Sequence, residues 1–461
     1  MTRRLDLLSP PVPTWQHVQE APDAAGTVIT LVPGFDAGSI EQTASVAALA
    51  VGTGDGSQAD LTKAGAAVGA RTRHDPLVTH LAGAHGPEAD LTAYVEAVSL
   101  ARWRSPRWDA QGPTTELQRS THVLVGSAPI DLDRAVVRTR SVLLARTLAT
   151  TPSNIKNPAW LARQAVTMAR SAGLTSTVWT ERSLATEGFG GLLAVGGGSA
   201  TGPRLVQLDW RPVGTPKRGA EPVVLVGKGI TFDTGGLDLK TADGMLAMKT
   251  DMSGAAIVLA VLTACQELAV PFPVTGLLPL AENAISGAAY RPSDVITQYG
   301  GTTVEIGNTD AEGRIVLADA LAYAATRLAP RAIIDIATLT GHARIALSRA
   351  LAPVFGTSDP LVDALIAAGE TTGETLWRMP LPTAYRADLS SEVADLAHVV
   401  PGGVAGAVYA ALFLREFVGE VPWAHLDIAG PGRSDDDAGI FAKGATGFGT
   451  RLLLRYLEGM S

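Results

Sequence analysis

The feature that most constrains this chain is an alternation that runs from about residue 158 to 336. Short, β-branched apolar runs there take turns with Ala- and Leu-rich stretches of helical period. Helix-like segments at 158–172, 253–268 and 312 onward separate strand-like ones at 175–179, 205–210, 223–226, 274–280 and 332–336. A strand that returns to its own sheet through a helix does so as a parallel neighbour. The pattern therefore predicts an α/β domain with a mostly parallel central sheet flanked by helices. Sites in such sheets form beyond the C-terminal ends of the strands, so the residues that follow each strand are the ones to read for chemistry. Runs at 295–298 and 303–306 flank Gly300-Gly301 and read as a hairpin.

The first 135 residues are a separate compositional block. Apolar runs at 27–32 and 123–125 accompany Ala-rich segments at 41–51 and 90–102 that read as helices, which predicts a smaller N-terminal α/β domain over 1–135. A helix over 131–148 leads into Thr151-Pro152-Ser153-Asn154, and the larger domain takes residues 136–461. Gly52, Gly54 and Gly56 lack the Lys-Ser/Thr of a phosphate loop and read as a turn. His74, His80 and His85 share no helix face at their spacings and read as surface or loop residues. Cys265 is the only cysteine, so no intrachain disulfide can form, and Ile257, Val261 and Cys265 mark a buried stripe. Arg3-Arg4 is followed by no apolar core of a signal peptide, and no run reaches the roughly 18 apolar residues of a spanning helix. These readings predict a cytoplasmic protein with no membrane partner. The net charge of −8, without a basic block, argues against nucleic acid as a partner.

Charged residues gather where the sheet predicts a site. The strand at 223–226 runs into Lys228 and Asp233, Lys240 follows on an alternating segment, and Asp251 precedes the helix that begins near Ser253. Asn308-Thr309-Asp310-Ala311-Glu312-Gly313-Arg314 opens the next helix. If that segment is extended, Asp310 and Glu312 share a face and aim at one point. The same residues also suit a plain helix start, with Asn, Thr or Asp as cap and Glu in the first turn. Considered together, Asp233, Asp251, Asp310 and Glu312 bring about four negative charges, which two divalent cations would neutralise. A lysine can join them as a metal ligand once deprotonated. The remaining cations would face an anionic species, the layout of a two-metal hydrolytic site. No His-Glu-x-x-His or Gly-x-Ser-x-Gly run occurs. His425, in an apolar strand-like setting, reads as a hydrogen-bonded structural residue.

The run from Asn308 to Arg314 resembles the signature of the leucyl aminopeptidases, the cytosol aminopeptidase family. Val226 to Asp233, Gly235-Gly236 through Lys240, Ala337 to Gly341 and Lys443 to Gly447 resemble further motifs of that family. The resemblance covers about 150–456. It implies a macro-like, non-catalytic N-terminal domain, a catalytic domain with two divalent ions (Zn²⁺ or Mn²⁺, or Mg²⁺) and a homohexamer built as a dimer of trimers. Carried over residue by residue, it implies that Lys228 and Asp251 bind the tighter metal, Asp310 the more exchangeable one, and that Asp233 and Glu312 bridge. Lys240 would stabilise the tetrahedral intermediate, and Arg314 would hold a bicarbonate as general base. Met248 and Thr338 would line the pocket for the first, Leu-like side chain of a peptide substrate, and Leu339 would offer its carbonyl. The sequence departs from the family at His342-Ala343-Arg344, at 398–406 and at Gly197. These departures bear on substrate preference and subunit contacts. Two readings from other classes stand beside this one: a DNA-binding relative, and a phosphatase built on a similar carboxylate cluster.

Overall fold

The computed structural model describes residues 12–19, 27–42, 48–85, 90–109, 112–114, 120–128, 130–214 and 221–460, and the Arg3-Arg4 segment lies outside them. The chain divides into two compact units. One holds residues 1–147 with 371–373 and 434–446; the other holds 148–370, 374–433 and 447–461.

The first unit carries a six-stranded sheet in the order Thr14–Val18, Thr121–Val125, Leu77–Leu81, Thr27–Val32, Ala48–Gly52, Ile40–Gln42. Its pairs are parallel except the last. The segment 41–51 is therefore not a helix: its described ends are strands, and 43–47 lie outside the described residues. Leu49 and Val51 point into the core with Ala50 between them, a period of two. Pairing to the neighbouring strand outweighs the modest helix preference of the alanines there. The three glycines at 52–56 form the turn into the helix Gln58–Arg71, which Ser57 caps by accepting from Asp60 N.

His80 and His85 are buried, contrary to the surface reading, and only His74 of the three is exposed. The spacings exclude a common helix face, but residue 80 lies in a strand covered on both sides. His80 Nε2 meets His122 Nδ1 at 2.8 Å, and its Nδ1 meets the Tyr94 hydroxyl at 2.8 Å. Trp15 packs over both rings. Burial, with some help from Arg102, lowers the His80 pKa to about 3, and burial followed by His80 lowers that of His122.

The second unit carries a nine-stranded sheet. The order is Leu376–Arg378, Ala352–Gly356, Trp423–Asp427, Ala332–Ala337, Val223–Gly227, Val274–Asn283, Arg204–Trp210, Thr175–Trp179, with Gly229–Asp233 also on Val274–Asn283. The four central strands, from Trp423–Asp427 to Val274–Asn283, are mutually parallel. Antiparallel partners flank them on each side. The predicted hairpin is present as Val295–Thr297 and Thr303–Glu305. The helix Ser253–Ala264 is buried along its length, and Cys265 behind it is inert core. The stretch Ala242–Ala264 is long and apolar enough to cross a membrane by composition, yet 72% of the window is buried in the protein, as a core helix would be. His425 is the expected structural residue, bonded through Nδ1 to Asp335 at 2.5 Å on the adjacent strand.

Because burial keeps His80 and His122 neutral when folded, the unfolded chain binds more protons as pH falls below about 6.5. Hydrogen-exchange protection of Leu77–Leu81 and Thr121–Val125, corrected for intrinsic rates, should weaken between pH 6.5 and 4.5 by up to about 1.4 kcal/mol per pH unit for each histidine. The double variant H80Q/H122Q should flatten that slope. An equal slope in the variant would contradict the assignment.

Candidate active site

The site is built at the C-terminal edge of the central strands. Val223–Gly227 and Gly229–Asp233 run along the same neighbour, with Val226 opposite Leu277 and Gly229 opposite Leu280. Lys228 therefore falls opposite Pro279, which has no N–H to continue the ladder. Its own N–H goes to the Ile336 carbonyl, and its carbonyl accepts from Ala255 N at the start of the buried helix. This break turns the Lys228 side chain towards the loop ends.

There Lys228 Nζ lies 2.9 Å from Asp251 Oδ2 and 2.9 Å from Glu312 Oε1, and donates to the Thr338 carbonyl at 2.9 Å. Lys240 Nζ lies 2.8 Å from Asp233 Oδ2 and also pairs with Asp310. One carboxylate oxygen from each of Asp233, Asp310 and Glu312 lies within 4.8 Å of the others, so these three could hold a metal ion. Asp310 and Glu312 do not converge through an extended segment. They lie on a 3₁₀ turn, Thr309–Ala311, and at the first residue of the helix Glu312–Arg327. The helix-start reading and the cluster reading thus describe the same residues, with Asn308 as the cap that accepts from Asp310 N. Asp251 does not cap its helix; Met252 occupies that position.

Electrostatics sharpen the picture. Burial is the largest influence on Lys228 and acts to lower its pKa, but Asp251, Glu312 and Asp233 outweigh it and hold the pKa above the usual lysine range. Lys240 behaves likewise, with Asp233 first among the groups opposing burial. Burial raises the pKa of Asp251 to about 6, against the pull of Lys228. Burial, then the charge of Asp233, also raises Glu312. Glu312 is 1% exposed, and its Oε2 has no hydrogen-bond partner among the described residues. A buried carboxylate oxygen without a partner is costly and calls for a cation.

Several residues that sequence reading missed hold this cluster together. Asn283, at the end of its strand, donates to Asp233 Oδ1 at 2.8 Å and to the Thr309 carbonyl at 3.0 Å. Tyr290 donates to the same carbonyl. Asp427 accepts from Leu339 N and Thr340 N, fixing the loop after Ala332–Ala337. His398 bonds the Asn308 carbonyl, and its own carbonyl accepts from Arg314 at 2.7 Å. Each lies 19 or more residues from its partner, so no local pattern marks it.

Two cavities open on the cluster. One, of about 500 Å³, is lined by Lys228, Lys240, the carboxylates, Met248, Thr338 and Leu339. The other, of about 350 Å³, shares Asp310 and Leu339 but is lined by Arg314, Val400 and Tyr409. Of the ten residues singled out in the sequence, Arg314 alone does not line the larger cavity, and it meets Asp310 and Leu339 in the smaller one. Burial lowers its pKa to about 10, and its Nε has no partner among the described residues. The departures at His342 and 398–406 are neighbours in space, since a Cβ on Gly406 would strike the His342 ring.

Comparison with known proteins gives a consistent result. The model of the cytosol aminopeptidase family's catalytic domain matches residues 143–454. A probable cytosol aminopeptidase of Syntrophotalea carbinolica is 42% identical over 428 residues, covering 89% of this chain and 85% of that one. One of Nocardia farcinica is 42% identical over 427 residues, covering 91% and 83%. Among solved structures, the bottromycin maturation enzyme BotP in complex with Mn superposes with a TM-score of 0.85 at 33% identity, covering 94% of this chain and 99% of that one.

The geometry explains one glycine of the run from 308 to 314. A Cβ on Gly313 would lie 2.6 Å from Lys228 Cε and 2.7 Å from its Nζ. In an ordinary helix Gly→Ala stabilises by about 1 kcal/mol. Here G313A should leave the fold intact by circular dichroism yet displace Lys228. Affinity for added Mn²⁺, read by calorimetry, should fall at least tenfold. Unchanged affinity would show that the close contact is tolerated.

Proposed function

Because the chain belongs to the cytosol aminopeptidase family, and is accordingly a metal-dependent aminopeptidase, we propose that the cluster around Lys228 removes N-terminal residues from peptides through two divalent ions. The observation that carries this reading is the convergence of Asp233, Asp310 and Glu312 on one point beside two lysines that neutralise them. The donors fit: carboxylates with one amine suit Zn²⁺, Mn²⁺ or Mg²⁺, and Glu312 Oε2 has no other described partner.

In this reading Lys228 and Asp251 would hold the tighter ion and Asp310 the more exchangeable one, and Asp233 and Glu312 would contribute to both. When bound, the ions supply Lewis acidity and an activated water. The chain's own groups do the rest. Lys240, only partly buried, keeps its proton and faces the cavity, where it offsets the negative charge that grows on the scissile carbonyl oxygen. Arg314, steadied by the His398 carbonyl, is suited to hold a bicarbonate as the base for the attacking water. The Leu339 carbonyl orients the substrate backbone, and Met248 and Thr338 face a first side chain of Leu-like size. The assembly proposed is a homohexamer, a dimer of trimers, in the cytoplasm. The N-terminal domain, drawn at 1–135 against 136–461 from sequence, takes no part in catalysis.

Hydrolysis of a leucine anilide should require Mn²⁺ or Zn²⁺ and stop with chelator, while phosphate monoesters remain inert. K240A should lower kcat by about 100-fold or more at unchanged metal content. Folded, metal-loaded protein that hydrolyses no aminoacyl anilide would contradict the proposal.

A further inference from the structure

The two cavities are chemically unlike, and the difference points to a substrate class. The smaller one holds Arg314, the proposed seat of the base. That base must also return a proton to the departing amine, so the leaving chain lies on that side. The first side chain then enters the larger cavity. This assignment rests on the aminopeptidase reading above.

The larger cavity is not simply apolar. Met248 and Ala429 line part of it, but so do Arg344, Arg349 and Arg433. Counting all its walls, five carboxylates face five cationic side chains. Two dications, with Lys228 neutral as a ligand, would therefore leave it positive by about three charges, and a hydroxide would take up only about one of them. Four of the carboxylates belong to the metal cluster. The fifth, Asp243, lies in the first turn of the short helix Ala242–Met245. Arg349 is oriented by the Arg433 carbonyl, which its NH1 reaches at 3.2 Å. Arg344 is exposed on the helix Gly341–Leu347, directly after Thr338 and Leu339. Its side chain makes no hydrogen bond or ion pair among the described residues.

We propose that Arg344 is a specificity-determining residue that admits peptides with an acidic first side chain, glutamate above all. A glutamyl side chain has about the length of a leucyl one. Its methylenes would lie along Met248 and Ala429 while its carboxylate meets the guanidinium, a charge-assisted pair in a fork geometry that lysine cannot reproduce.

The test compares glutamyl and leucyl anilides on the Mn²⁺-loaded enzyme. Wild type should turn over both, with kcat/KM for glutamyl at least equal to leucyl. R344A should lower kcat/KM for the glutamyl substrate at least tenfold, mainly through KM, and leave the leucyl value within twofold. R344K should restore only part of the loss. Calorimetry with free glutamate and free leucine as products should show the same selective tenfold loss of glutamate affinity, independent of turnover. Turnover of leucyl but not glutamyl anilide by wild type, or equal losses on both in R344A, would overturn the inference while leaving the aminopeptidase reading intact. Turnover of neither would overturn that reading and this one with it.

Discussion

Buried carboxylates repel one another, and this constraint organises the larger unit. Asp233, Asp251 and Glu312 are nearly inaccessible, and Asp310 stands beside them. Taking such charges out of water costs several kcal/mol each unless positive charge accompanies them. The sheet delivers that charge from within, at the place where Lys228 interrupts the central ladder opposite Pro279. The strand register, the buried helix that starts against the Lys228 carbonyl and the glycine that leaves room for its amine all serve one placement. A cluster held by ion pairs that a metal can replace is also a cluster ready to bind one, because carboxylates gathered for two ammonium groups are gathered for two dications.

Supporting bonds extend the constraint outward. Asn283 ties Asp233 to the turn that carries Asp310, and Asp427 fixes the loop that carries Thr338 and Leu339. His398 joins the Asn308 carbonyl to the guanidinium of Arg314. The cluster and the cavity of Arg314 are thereby linked through backbone rather than through flexible side chains. Such preorganisation is what charge stabilisation in a transition state needs. The arginines of the larger cavity are not part of this hydrogen-bonded frame, so substitutions there can alter which substrate fits without touching the metal ligands.

Much of this was legible in the sequence, for physical reasons that differ from element to element. The strands Val223–Gly227, Val274–Asn283 and Ala332–Ala337 announce themselves because a sheet covered on both faces needs continuous apolar runs, and the helix Pro158–Ser171 keeps a clear period. Charged residues at the ends of such strands and just before a helix are conspicuous, so Lys228, Asp233 and Asp251 can be picked out. The segment 41–51 reads as a helix yet ends in strands, because alanine fits helix and strand alike and pairing decides between them. The burial of His80 was missed because its partners, His122 and Tyr94, are named only by the fold. Asn283, His398 and Asp427 were invisible for the same reason. The convergence of Asp310 and Glu312 was anticipated from an extended geometry, whereas a tight turn running into a helix produces it.

In the proposed reading one cluster, held together through Lys228, binds two divalent ions. Its most direct test is a count of bound metal on purified full-length protein. Titration with Mn²⁺ or Zn²⁺ should saturate at two ions per chain, and E312Q, which weakens a residue proposed to lie between them, should lower occupancy of both. Saturation at one ion, or two ions retained at unchanged affinity in E312Q, would contradict the account.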